Sequence, residues 1–306
     1  MMVYGDPCYK PTLGQLLSHL RDRLSALHQP ATSPLHSLDG LRRLLCETGQ
    51  LEQAMEDANP QLSADANHPK QQFQTLTDQA AEAFYARCFD HLSDVQPALS
   101  TMARNLDHLD TNISIPLRVK TPEGFAFYAL YPEQYCAAAH DWLANHRHAN
   151  PKSAIVVGIR SIGTTLSAAV AAALKAHGWN VRRLTVRPTG HPYARRVAIA
   201  PDQLHGAAYA LVADEGPGLS GSSMAAVAQA LVHAGLDQSR ISFLPGHTGP
   251  PGHAASAEVR SWWTTTRRYV RQLDTLQWLG QSLPEILATH TTHLCTPNDP
   301  LDRTED

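Results

Sequence analysis

Apolar positions in the first third of the chain fall at helical spacing. Leu13, Leu16, Leu17 and Leu20 recur every three to four residues, and Leu41, Leu44, Leu45 and Leu51 do so less regularly. Over residues 71–92, Phe73, Leu76, Ala80, Phe84 and Cys88 share one face. A turn of about 3.6 residues brings such positions to one side, so the pattern predicts amphipathic helices. Polar, proline-containing joints at 28–34 and 59–68 separate them. Residues 1–111 are thus expected to form a helical N-terminal region. The pattern changes near Asn112. Residues 113–120 alternate as a strand does, Thr121-Pro122-Glu123-Gly124 is turn chemistry, and 125–131 alternate again. This predicts a β-hairpin over 113–131, with Phe125, Phe127 and Tyr131 on one face, followed by a helix over 132–146.

From Ser153 onward, short apolar runs alternate with helical patterns. Strands are expected at 154–159, 181–186, 197–200, 208–213 and 240–244, with helices at 165–177 and 223–234. Buried strands alternating with helices define an α/β class with a mostly parallel sheet flanked by helices. The expected α/β domain is 112–285 including the hairpin, with a polar tail at 286–306. Ligands of such sheets sit beyond the carboxyl ends of the strands, so the loops there hold the candidate chemistry.

The loop after Ala213 is the most informative. An apolar run ends in Asp214 and Glu215, then Gly216-Pro217-Gly218-Leu219-Ser220-Gly221-Ser222-Ser223 leads into a helix. A helix start leaves backbone N–H groups unpaired and its dipole favours an anion, while glycines let the backbone approach closely and serines add donors. The loop is therefore suited to a phosphate. It matches the dinucleotide fingerprint G-x-G-x-x-G, but no acidic residue ends the next strand, and two carboxylates precede the glycines. It also matches a nucleoside-triphosphate loop, except that Ser222 stands where lysine is needed. A third reading uses the acids: Asp214 and Glu215 accept hydrogen bonds from ribose hydroxyls while the Ser220–Ser223 stretch holds a 5′-phosphate.

In that arrangement the segment resembles the ribose-5-phosphate loop of the type I phosphoribosyltransferases. It stands closer to their uncharacterised bacterial branch than to the base-salvage enzymes. It departs from the family pattern in one extra loop residue, an added Gly-Pro-Gly, and serine where threonine is common. The resemblance covers about residues 112–270. It implies a phosphoribosyltransferase-like fold and a transfer of 5-phosphoribosyl between pyrophosphate and a base-like acceptor, with Mg²⁺ as cofactor. It gives Asp214 and Glu215 the catalytic role and Gly218, Ser220, Gly221, Ser222 and Ser223 the ribose 5-phosphate. It makes Arg160, Ser161, Ile162 and Gly163, at the next helix start upstream, the pyrophosphate loop. It also places a loop that closes over pyrophosphate in the arginine-rich stretch, where Arg187, Arg195 and Arg196 are the candidates and bidentate guanidinium forks suit phosphate oxygens. His247 is placed near the acceptor side. Two other classes stay open: a non-catalytic nucleotide sensor of the same fold, motivated by the large helical region, and a Rossmann oxidoreductase binding NAD(P).

Composition narrows the partners. The 306 residues are 43% hydrophobic and 17% charged, which excludes wholesale disorder. A net charge of −3 argues against bulk nucleic acid, although Trp262 and Trp263 lie among Arg260, Arg267, Arg268 and Arg271. No run approaches the ~18 apolar residues of a membrane span, and the first residues show no secretory signal. Five cysteines without a C-x-x-C pair predict reduced thiols and a cytoplasmic location. The 17 histidines are scattered. His290, His293 and Cys295 are metal-ligand types at a spacing that fits no standard site, so no protein metal ligand is assigned. The sequence leaves a homo-oligomer open.

Overall fold

The computed structural model describes residues 5–29, 33–58, 69–90, 94–109 and 116–290. His293 and Cys295 lie outside these, as does the start of the expected hairpin. The described residues form two compact units, one from Leu130 to Gln277 and one from Gly5 to Ala129 joined by the chain from Trp278.

The second of these is helical. It contains β1 (Cys8–Tyr9), α1 (Leu13–His28), α2 (Pro34–Ala58), α3 (Pro69–Phe89), α4 (Gln96–Asp107), β2 (Val119–Lys120) and the short α5 (Glu123–Phe127). Thr12 caps α1 reciprocally with Gln15, satisfying two orphan backbone donors. Leu13, Leu17, Leu20 and Leu24 of α1 are buried, as are Leu38, Leu41, Leu44 and Leu45 of α2 and Phe73, Leu76, Ala80 and Phe84 of α3. Each set repeats at helical spacing and supplies one core-facing stripe.

The hairpin expected over 113–131 does not form. Val119 and Lys120 pair antiparallel with Tyr9 and Cys8, and the Thr121 N–H donates to the Pro7 carbonyl, so the partner strand comes from the start of the chain. The supposed turn opens a helix instead. Pro122 is extended at the N-cap and Glu123 carries negative charge into the first turn of α5, where the helix dipole favours it. Phe125 is buried and Phe127 exposed. This pairing ties residues 116–129 to the helical unit, which is why the division falls at 130 and 277 instead of the expected 112 and 285.

An ion cluster in this unit predicts a pH response. Arg23 donates to both Glu47 carboxylate oxygens, and His19 Nε2 lies 3.2 Å from Glu47 Oε1. Burial pushes the Glu47 carboxyl up, but the hydrogen bonds from His19 and Arg23 outweigh it and hold the group below its ordinary value. The hydrogen bond to Glu47 raises the His19 imidazole above its ordinary value despite burial. Glu47's contribution to stability is therefore complete above its unfolded value of 4.5 and is lost as pH falls through the lowered folded value. His19's contribution is complete below 6.5 and is lost as pH rises through its raised value. Denaturant midpoints measured against pH should fall on both sides, and Glu47→Gln should flatten both limbs.

The other unit is three-layered α/β. It runs through α6 (Pro132–Asn145), β3 (Ser153–Ile159), α7 (Ile162–Ala176), β4 (Asn180–Val186), the hairpin β5 (Thr189–His191) and β6 (Ala194–Arg196), β7 (Tyr209–Ala213), α8 (Ser222–His233), β8 (Ile241–Leu244), α9 (Ala257–Thr265) and β9 (Arg267–Arg268). The sheet is five-stranded and parallel in the order β4-β3-β7-β8-β9. Ile155, Val157, Val212, Ile241 and Phe243 pack with Val227 and Leu231 of α8 and Trp263 of α9. On α6, buried Trp142 donates its indole N–H to Ser242 Oγ, which explains a serine inside a buried strand. The helix α10 (Leu283–His290) belongs to the helical unit.

Residues 197–200 join no strand; the pairing there belongs to β5 and β6, whose short, exposed segments carry little apolar signal. Trp263 is core, stacked on Phe243, with the Arg268 guanidinium over its ring, and Arg271 is engaged by Asp141. Among the described residues, no helix is long and apolar enough to cross a membrane.

Candidate functional site

The strand order places the candidate loops. The chain leaves the sheet centre from β3 toward β4 on one side, then returns to β7 and continues outward on the other. The crevice between two such strands is the topological switch point, where open parallel sheets bind ligands. Here it lies between the carboxyl ends of β3 and β7, paired through Gly158 and Ala213. The loops starting at Arg160 and Asp214 are therefore neighbours, although more than fifty residues separate them in sequence.

Their approach requires glycine. A Cβ on Gly158 would lie 2.1 Å from the Gly163 carbonyl oxygen and 2.5 Å from Ser167 Oγ. A Cβ on Gly163 would lie 2.7 Å from the Ala213 carbonyl oxygen. With no side chain in the way, the first turn of α7 sits directly on the ends of both strands. Ser161, its N-cap, has φ of 114° and makes no side-chain cap. That backbone is strained for a residue with a Cβ, a state that persists where the surroundings impose it and that clusters at ligand sites. Ile162 and Gly163 are buried behind it. The hydroxyls of Thr164 and Thr165 are buried with no hydrogen-bond partner among the described residues. First-turn side chains lean toward the helix N-terminus, so these donors belong to the same helix start as the uncapped amides.

Arginines surround this turn. Arg160 bonds Thr185 through Nε and Nη2, Arg187 Nη1 donates to the Arg160 carbonyl at 3.1 Å, and buried Arg183 Nη1 donates to the Thr164 carbonyl at 3.4 Å. Arg183 sits on β4 and was absent from the sequence-derived candidates. A burial pattern hidden by neighbouring Arg182 is the signal that could have found it. Arg195 and Arg196 line a groove of about 580 Å³ along α8 with Tyr193, Ser222, Gln229 and Trp262, on the side of the α8 helix start and not at the α7 turn.

The acid pair is held by its backbone. Asp214 N–H donates to the Leu244 carbonyl, and buried Tyr135 donates its hydroxyl to the Asp214 carbonyl at 2.8 Å. The Glu215 carbonyl accepts from Gly246 N–H at 2.8 Å. Both acids are half-buried. Burial, then the charges of Asp214 and Glu215, push the Tyr135 phenol well above its ordinary value, so it stays a protonated donor. Tyr135, on α6 outside both motifs, has no signature in the sequence. Tyr135→Phe should loosen the acid pair by one hydrogen bond and cost about 1 kcal/mol of stability. Denaturation of the variant measures it.

Beyond the acids, the Gly218 and Leu219 carbonyls accept from Gly252 and Ala254 N–H groups, so the loop after β8 braces this one. Gly221, the N-cap of α8, has φ of 66°, and a Cβ there would press on Pro251 and Val259 at 3.1 Å. Ser220 and Ser222 are buried, Ser223 half-buried. The Ser220 and Ser222 hydroxyls lie 3.0 Å apart and both donate to the Pro192 carbonyl, at 3.4 and 3.0 Å. The loop is thus covered by the tip of the β5–β6 hairpin.

His247, just beyond β8, accepts from Gly249 N–H through Nδ1 at 3.1 Å, which leaves the ring proton on Nε2. Nε2 lies 3.1 Å from the position a Gly216 Cβ would take. Burial lowers its basicity, so the neutral form dominates at pH 7. His253 is exposed. Among the described residues, no three His, Cys, Asp or Glu side chains converge as a metal site. The chain matches no protein-family model and no curated protein.

Proposed function

We propose that this protein is a phosphoribosyltransferase of type I architecture, moving a 5-phosphoribosyl group between pyrophosphate and a base-like acceptor. The observation that carries this reading is the adjacency of two glycine-dependent helix starts at the β3–β7 switch point, with Asp214 and Glu215 at the edge of the crevice. One carboxylate pair between two anion-binding helix starts suits a ligand with hydroxyls at its centre and phosphates at both ends. In this assignment the α8 start, with Ser222 and Ser223, takes the 5′-phosphate. The α7 start, with the Thr164 and Thr165 hydroxyls, takes pyrophosphate. Asp214 and Glu215 accept from the ribose 2′- and 3′-hydroxyls. Their negative charge then favours positive charge developing on the ring, an electrostatic contribution that needs no dedicated base. His247 offers an Nε2–H donor toward the acceptor.

The donor set fits Mg²⁺ of the substrate-borne kind. Asp214 and Glu215 are the acidic side chains within the two loops, and Mg²⁺ prefers few carboxylates plus phosphate oxygens. When bound with the substrate, Mg²⁺ would neutralise pyrophosphate charge, with these two carboxylates the candidates to hold it. The thiols of Cys46, Cys88 and Cys136 are buried and unbridged, which suits a reducing compartment such as the cytoplasm.

The dinucleotide reading is weaker, because that fingerprint belongs to the first βα turn of a sheet and this loop follows the third strand, β7. Asp237, its nearest downstream acid, is exposed before β8 and bonded to Ser239. A ligand-sensing regulator is the second reading, favoured by the separate helical unit. Calorimetric titration with phosphoribosyl pyrophosphate and Mg²⁺, followed by a pyrophosphate-release assay over a panel of bases, tests both. Binding with release supports the transferase, binding alone supports the regulator, and no binding sinks the phosphoribosyl reading.

A further inference from the structure

We propose that the β5–β6 hairpin is a latch that closes the α8 phosphate loop with the protein's own backbone, and that an incoming phosphate opens it. The inference rests on the phosphoribosyl reading for the identity of the phosphate. The contact itself stands on geometry alone. Pro192 and Tyr193 form the two-residue tip between His191 and Ala194. The Pro192 carbonyl accepts from Ser222 Oγ at 3.0 Å and from Ser220 Oγ at 3.4 Å. One acceptor oxygen thus sits on the two hydroxyls that a phosphate oxygen would use. Proline has no N–H, so residue 192 presents an acceptor and no donor to the loop.

The latch is weakly held. Thr189, Gly190 and His191 are exposed, as are Ala194 and Arg196, so little apolar surface resists lifting. The contact consists of neutral hydrogen bonds, whereas a phosphate brings charge-assisted ones that are roughly twice as strong. The same hydroxyls therefore favour phosphate over the carbonyl once phosphate arrives. Arg195, whose Nη1 is bonded to the Gly190 carbonyl within the hairpin, moves with it on opening.

Backbone hydrogen exchange over residues 189–196 of the full chain tests this. The Ser220→Ala/Ser222→Ala variant without ligand should exchange there at least tenfold faster than wild type, with α7 and α8 unchanged. Saturating ribose 5-phosphate should speed the same amides in wild type, with Mg²⁺ absent so that only the 5′-phosphate acts. Should the double variant not fold, Ser222→Ala alone removes the shorter contact and gives the same comparison at a smaller factor. Wild-type exchange in the variant overturns the latch whatever binds. Calorimetric binding of ribose 5-phosphate with unchanged or slower hairpin exchange also overturns it. A hairpin released by the serine substitutions, with no calorimetric binding of ribose 5-phosphate, supports the closing contact and overturns the phosphoribosyl reading instead.

Discussion

Asp214→Asn combined with Glu215→Gln is expected to weaken binding of phosphoribosyl pyrophosphate by about 10²- to 10⁴-fold while leaving the fold intact. Each carboxylate accepting a hydroxyl hydrogen bond contributes about 1.5–3 kcal/mol, and about 1.4 kcal/mol is tenfold in affinity. The amides keep the shape of the acids and lose their charge. The fold should survive because backbone groups of the two acids bond Leu244, Tyr135 and Gly246, and the amide variants leave those bonds in place. Calorimetry gives the affinity and circular dichroism the fold. Wild-type affinity in the double variant would remove Asp214 and Glu215 from the site. Retained affinity for inorganic phosphate, which needs only the helix starts, is the internal control.

Gly158→Ala is expected to destabilise the α/β unit by about 3 kcal/mol, near the upper end of overpacking costs. The added methyl would meet the Gly163 carbonyl oxygen at 2.1 Å, and that oxygen is backbone fixed by the first turn of α7. Relief requires moving α7 off the sheet, which also opens the β3–β7 crevice, so ligand affinity should fall with stability. Gly178→Ala is the comparison: it has φ of 75° and open space around it, so it carries only the left-handed backbone cost of about 1 kcal/mol. Four of the five tryptophans, Trp142, Trp179, Trp262 and Trp263, lie in this unit and Trp278 in the helical one, so fluorescence of a Trp278→Phe background in a urea titration follows its unfolding. Equal midpoints for the two variants would show that α7 yields easily and that the close approach at Gly158 matters little.

The regular elements were legible because their signals are local. The stripe Leu13, Leu17, Leu20 and Leu24 and the runs at 154–159 and 208–213 state their period within a few residues. The segment 113–131 misled because its signals have two meanings: proline followed by an acid serves a turn or a helix start equally, and the strand at Val119 found its partner some 110 residues earlier, at Tyr9. Pairing over that distance leaves no periodic trace. The same holds for Tyr135 and Arg183, which reach the candidate site through hydrogen bonds to residues distant in sequence. Where Arg195 and Arg196 lie was equally illegible: the register of the β5–β6 hairpin sets them along α8, in a groove that also includes Ser222.

The sequence by itself determined the α/β character of the second half, the two glycine-dependent helix starts and the acid pair, because each is written in adjacent residues whose backbone needs are local. Only the tertiary structure decided that the two loops share one crevice, since that follows from strand order, which depends on packing between distant segments. It also decided that the serines of the α8 loop are met by the Pro192 carbonyl. A hydrogen bond across a turn and a hairpin is chosen by where those elements land, and no residue type at either end announces it.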